Sequence, residues 1–206
     1  TTEQKPAEQQ QPATNTQAEQ KKEEQPSQNV VGEKILFLRI LRYLQGGHYN
    51  NELWTIDTAN NDKLIRGPYT SICGKDFLVI PEQGVLVIGY NGASHEDSGH
   101  HFVLLDTDTL VVKRESKEEI FWRTPLNSPA VYRDGKIYAF EIFNGQHYLS
   151  RFNIDLTLDA RSSDPISTNS DITFYRDKIY LTGKSQNGDV TTIAVFNKAD
   201  LKLIKT

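Results

Sequence analysis

The chain is short of several residue classes, and each shortage closes off a function. It holds one cysteine, Cys73, in 206 residues. No disulfide can form within the chain, so a disulfide-stapled scaffold is excluded. A lone cysteine reads first as a small apolar core residue. No run of about 18 apolar residues occurs, which leaves no helix for direct membrane insertion. Lys and Arg number 23 against 27 Asp and Glu, a formal net charge of −4. No basic stripe stands out, so nucleic acid is not an expected partner. A glycine-rich phosphate loop is missing too. Gly89-Tyr90-Asn91-Gly92 sits in a hairpin pattern rather than before a helix. No Ser or Cys is tied by a motif to a general base. The chain therefore reads as a non-enzyme, with no catalytic residue assigned and no cofactor expected.

Residues 1–29 differ from the rest. They contain eight Gln, five Glu, three Lys and three Pro, and no aromatic or large aliphatic side chain. Such a segment cannot bury enough apolar surface to offset its chain entropy. It is expected to be a disordered polar linker, with the folded domain spanning 30–206.

What the folded part does have is a four-fold repeat. Leu53-Trp54-Thr55-Ile56-Asp57, Phe102-Val103-Leu104-Leu105-Asp106, Tyr148-Leu149-Ser150-Arg151-Phe152-Asn153 and Ile193-Ala194-Val195-Phe196-Asn197 each read as a strand ending in an Asx anchor. The anchors at 57, 106, 153 and 197 lie 49, 47 and 44 residues apart. A strand-built period of roughly 40–50 residues is the pattern of propeller blades. Tyr132-Arg133-Asp134-Gly135-Lys136-Ile137-Tyr138 and Tyr175-Arg176-Asp177-Lys178-Ile179-Tyr180 repeat one hairpin. Asp-Gly between apolar alternations marks a tight turn, because Gly takes positive φ readily. A second hairpin recurs at Gly46-Gly47, Asn91-Gly92, Asn144-Gly145 and Asn187-Gly188. Short outer strands follow at Lys63–Ile65, Leu110–Lys113, Thr157–Ala160 and Leu201–Ile204.

The expected fold is all-β: a small β-propeller-like repeat domain of about four blades. Its first repeat lacks an obvious inner strand. Either a short stretch near Val30-Val31 fills the gap, the missing strand lies upstream, or the ring is completed by a second copy, which makes a homodimer one partner reading. Hemopexin-like domains offer a four-bladed comparison in architecture only, since the framing cysteine pair of that class is absent. A β-sandwich or meander barrel is the competing arrangement.

Candidate binding residues cluster in one hairpin: Ser94-His95-Glu96-Asp97-Ser98-Gly99-His100-His101. Imidazole and carboxylate groups are ligands for zinc, copper or nickel. The spacing matches no established metal site, so whether a metal binds stays open beside a solvated loop tip. His95, Glu96, Asp97, His100 and His101 are carried as candidate binding residues. Trp122, beside Arg123 and Thr124-Pro125, is a further candidate, as a loop Trp suits a partner surface. Trp54 takes an anchor-strand position where Val103, Leu149 and Ala194 are aligned in the other repeats. The anchors themselves read as turn formers, since Asx side chains bond their own backbone two residues on.

Lys117-Glu118-Glu119-Ile120, Ser128-Pro129, Tyr148 to Asn153, Leu158-Asp159-Ala160-Arg161-Ser162 and Asp200-Leu201-Lys202-Leu203-Ile204 together resemble the C-terminal region of the spirochaetal 83/100-kilodalton antigen family. The resemblance covers roughly residues 34–206 and is best after 100. It implies a β-rich domain after a charged segment, placed in the cell envelope, in the periplasm or at the cell surface. It implies no reaction and carries over no catalytic residue. The functional expectation is an interaction or scaffold module with an unknown protein partner. The alternative is a small-ligand or metal-binding propeller, an enzyme in its strongest form, using the His-rich loop.

Overall fold

The computed structural model describes residues 29–43, 49–91, 99–121, 130–183 and 192–206, with Lys75 described by its backbone alone. Residues 1–28 of the expected linker, the hairpin tips at 46–47 and 187–188, and Gly92 lie outside the described residues. Described residues are strand and turn, with one short 3-10 turn at Thr58–Asn60 and no α-helix.

The strands form four successive antiparallel meanders. The first holds β1 (Val30–Val31), β2 (Lys34–Tyr43), β3 (Tyr49–Asp57) and β4 (Lys63–Arg66). The second holds β5 (Ile72–Ile80), β6 (Gly84–Tyr90), β7 (His100–Leu105) and β8 (Val112–Glu115). After β9 (Glu119–Ile120), the third holds β10 (Val131–Arg133), β11 (Lys136–Phe143), β12 (Gln146–Phe152) and β13 (Leu158–Arg161). The fourth holds β14 (Thr173–Tyr175), β15 (Lys178–Gly183), β16 (Thr192–Asn197) and β17 (Leu203–Lys205). The strand missing from the first repeat is β1, which pairs Val30 with Ile35. The first two meanders share one sheet through a single bridge, Asn51 to Ile72. The third and fourth form separate sheets, and no closed barrel or ring of sheets is formed among the described residues.

Side chains alternate across a strand, so every meander has two faces, here named front and back. The front face of the second meander (Val85, Val87, Val103, Leu105) packs on Leu36 and Leu53 of the first. The front of the third (Ile137, Ala139, Phe152) packs on Leu86, Ile88, Phe102 and Leu104 of the second. The front of the fourth (Ile179, Leu181, Ala194, Phe196) packs on Tyr138, Phe140 and Leu149 of the third. Each front thus meets the back of the preceding meander. This explains why β6 and β7 are buried at every position, having cores on both sides.

Turn chemistry sets the register. At Asp134-Gly135 the φ angles are 52° and 72°, and at Asn144-Gly145 they are 50° and 70°. Positive φ at both central residues is the type I′ geometry that matches strand twist. Asp106 Oδ1 accepts from the amides of Asp108 at 3.0 Å and Thr109 at 2.9 Å, and Asn197 Oδ1 accepts from the Ala199 amide at 2.9 Å. Those contacts are Asx turns. Three of the expected outer strands begin a residue or two late, two of them because Leu110 and Leu201 are consumed by the turn. Leu110, Leu156 and Leu201 have φ of 58°, 66° and 56°, and each donates its amide to the anchor carbonyl at 2.9 Å. A left-handed Leu costs about 1–2 kcal/mol, offset here by burying its side chain between meanders.

Candidate functional site: the open front face of the first meander

The pairing registers make the four meanders superimposable position by position. The residue five before each anchor is Glu52, His101, Tyr148 or Thr192. Across the ladder these pair with Arg39, Gly89, Glu141 and Gly183. The residue just before each anchor, Ile56, Leu105, Phe152 or Phe196, pairs with Ile35, Val85, Ile137 or Ile179. Three before each anchor come Trp54, Val103, Ser150 and Ala194, opposite Phe37, Val87, Ala139 and Leu181. Ser150, not Leu149, is therefore the counterpart of Trp54. A one-residue shift moves a side chain to the other face, which is why an alignment on apolar character misplaces it.

These front-face positions are closed in three meanders and open in one. Val85, Ile137 and Ile179 are each 0% exposed, whereas Ile35 is 39% exposed. Phe37, Trp54 and Ile56 are likewise half-buried where their equivalents are buried. Leu64, which pairs with Ile56, is 56% exposed. Phe37 and Trp54 lie with their rings 6.4 Å apart and 24° from parallel. The first meander thus carries the largest front-face side chains of the four, with no sheet against them among the described residues.

A polar cluster sits on the same face. Trp54 Nε1 donates to Glu52 Oε1 at 2.7 Å. Arg66 Nε donates to Glu52 Oε2 at 2.7 Å, and Arg39 Nη1 reaches Oε1 at 3.3 Å. Burial of Glu52 opposes its ionisation, but the Trp54 and Arg66 hydrogen bonds and the Arg66 and Arg39 charges outweigh it. Its carboxyl is held below the usual range. Glu52 is wholly covered, yet the Arg39 and Arg66 side chains are 59% and 58% exposed. The cover is thin and made by the sheet itself.

Pairs of ionisable side chains recur at equivalent places in the next two meanders. His101 Nε2 lies 3.8 Å from Glu115 Oε2, and Glu115 occupies the Arg66 position. In the third meander Arg161 takes that position and clamps Glu141, donating through Nε at 2.8 Å and through a second nitrogen to the other oxygen. Ser150 Oγ also donates to Glu141. The Arg161 guanidinium lies 3.6 Å from the centroid of Phe143. The Glu141 hydrogen bond, against the opposing effect of burial, pushes the Arg161 pKa further up. Ser116 and Ser162 end these outer strands identically: each Oγ accepts from a central-strand amide, that of Phe102 at 3.0 Å or Leu149 at 3.2 Å. The Arg-Gly, Glu-Ser and Arg-Ser pairs at 66–67, 115–116 and 161–162 were a readable signal for this recurrence that the anchor pattern alone does not supply.

Of the sequence candidates, His100 and His101 open β7 and are both buried. As neighbours on a strand they leave it on opposite faces. His95, Glu96, Asp97 and Trp122 lie outside the described residues. Among the described residues no three His, Cys, Asp or Glu side chains converge as a metal site. Cys73 is buried in the core between the second and third meanders. Burial pushes its thiol up to about 12, against weaker backbone hydrogen bonds, so it stays protonated at neutral pH and behaves as a small apolar group. A scan against protein-family models matches no family, and a search of curated proteins finds no match.

Proposed function

We propose that this chain is a non-enzymatic interaction or scaffold domain of the cell envelope, acting outside the cytoplasm. It is a small β-propeller-like stack that binds protein through the front face of its first meander. One observation carries the reading: Ile35, Phe37, Trp54 and Ile56 repeat the positions through which the second, third and fourth meanders pack on the one before, and Phe37 and Trp54 are larger than any of their equivalents. A contiguous apolar patch rimmed by polar residues is the ordinary mark of a protein-binding surface. Trp and Arg are the residues enriched where binding energy concentrates, and Trp54, Arg39 and Arg66 stand together here.

A photo-reactive side chain installed at Leu64 tests this in an envelope extract of the source cell. The expected result is a discrete protein adduct, lost when Ile35→Glu is introduced. An adduct pattern indifferent to Ile35→Glu contradicts the reading.

A further inference from the structure

We infer that the occupant of the open front face is the back face of the fourth meander of a second copy, so that two chains join head to tail. The inference rests on the docking role just given to that face and names its partner. It follows from the repeat rule. Every front face in the chain that is covered is covered by the back face of a preceding meander. Among the described residues, one front face has no back against it and one back face has no front.

The unused back face matches the used ones along its anchor strand, although Thr182 lies opposite Ile193 where Leu38, Ile88 and Phe140 lie opposite Leu53, Phe102 and Leu149. Ile193 stands where Leu53, Phe102 and Leu149 stand, four residues before each anchor. Those three are 0% exposed, whereas Ile193 is 54% exposed. Beside it Val195 is buried and pairs with Tyr180, the equivalents of Leu104 with Leu86. Tyr175 and Ile204 add exposed apolar surface to the fourth meander. Ile35 and Ile193 are exposed within one chain, so its two ends do not cover each other. A second copy supplies both missing halves at once. Such a contact is heterologous, since different faces meet, and it closes into a ring when the rotation permits. Two copies double the number of sheets, within the roughly 4–8 blades that propeller rings contain. The Glu52 cluster then stands at a sheet interface.

Sedimentation velocity on the whole chain, from low to high micromolar, tests the inference with Ile35→Glu, Ile193→Glu and an equal mixture of the two. A thermal melt by circular dichroism checks folding of each variant; should Ile35→Glu unfold, Leu64→Glu on the same face replaces it. The expected result is a concentration-dependent dimer for the native chain and a monomer for each variant alone. The mixture regains a dimer, because one variant keeps an intact back and the other an intact front. Its affinity falls roughly 100-fold below native, since the second contact no longer closes intramolecularly. A dimer abolished by Ile35→Glu but untouched by Ile193→Glu is front to front and overturns the inference. A native monomer at every concentration also overturns it. Hydroxyl-radical footprinting of that monomer separates the two readings: reactive Ile35 and Trp54 leave the docking face standing, and protected ones remove both.

Discussion

The front of the third meander and the front of the first are built on one plan and differ in what covers them. In the third, Ile137 and Phe152 pack on the second meander, and Glu141 is enclosed with its full set of partners. In the first, Ile35 is 39% exposed and Ile56 half-buried, and Glu52 bonds Trp54 and two arginines that reach solvent. The difference teaches that burial here is a property of the interface between repeats. A meander by itself supplies hydrogen-bonded strands and half a core; its neighbour supplies the other half. This is the logic of repeat architectures, in which each unit contacts only its neighbours and end units are special.

The sharpest way to break the comparison is through the two glutamates. Glu141→Ala strands Arg161 and the Ser150 hydroxyl between sheets, and removing one partner of a buried pair costs about 3–5 kcal/mol. Glu52→Ala leaves two arginines that already reach solvent and one half-buried indole N–H, a loss of about 1 kcal/mol. Urea unfolding of both variants is expected to separate them by several-fold in lost stability. Equal losses would mean that the first front face is as enclosed as the third.

The next largest effect lies in the left-handed leucines. Leu201→Ala removes a side chain buried between meanders and should cost about 2–5 kcal/mol. Leu201→Gly removes the same side chain but relieves the positive φ of 56°, recovering about 1 kcal/mol of that loss. Thermal melts should rank native above Leu201→Gly above Leu201→Ala. A glycine variant less stable than the alanine variant would show that the turn tolerates leucine without strain.

The smallest effect is an acid limb. The Glu52 carboxyl is held below its usual range in the folded chain. A group depressed on folding contributes stability above its unfolded value, near 4.5, and that contribution fades as pH falls through the folded value. Glu52→Gln should therefore lose its deficit relative to the native chain as pH drops below about 4. Unfolding free energies at neutral and acid pH check this; a deficit that stays constant assigns the loss to shape rather than charge.

Much of the fold was legible, and the reasons are local. Asp106, Asn197, Asp134-Gly135 and Asn144-Gly145 have local chemistry that favours a turn. With four anchors at near-constant spacing the meanders follow. Outer strands were placed early because Leu110 and Leu201 look like strand residues and only their backbone conformation reveals a turn. The open front face was hidden for a different cause. Ile35, Phe37, Trp54 and Ile56 alternate as any half-buried strand does, and their distinction is the neighbour they lack. Glu52 and Glu141 carry no signal in the sequence, because the arginines that bond them come from another strand, 14 and 20 residues away.

The claim that burial belongs to the interface rather than the meander is tested most directly by one matched pair. Ile35→Ala and Ile137→Ala occupy the same position in two meanders. Each is to be unfolded in urea in an Ile193→Glu background, which removes the proposed head-to-tail contact. The account predicts a loss of about 2–5 kcal/mol for Ile137→Ala and under about 1 kcal/mol for Ile35→Ala. Losses of equal size would contradict it.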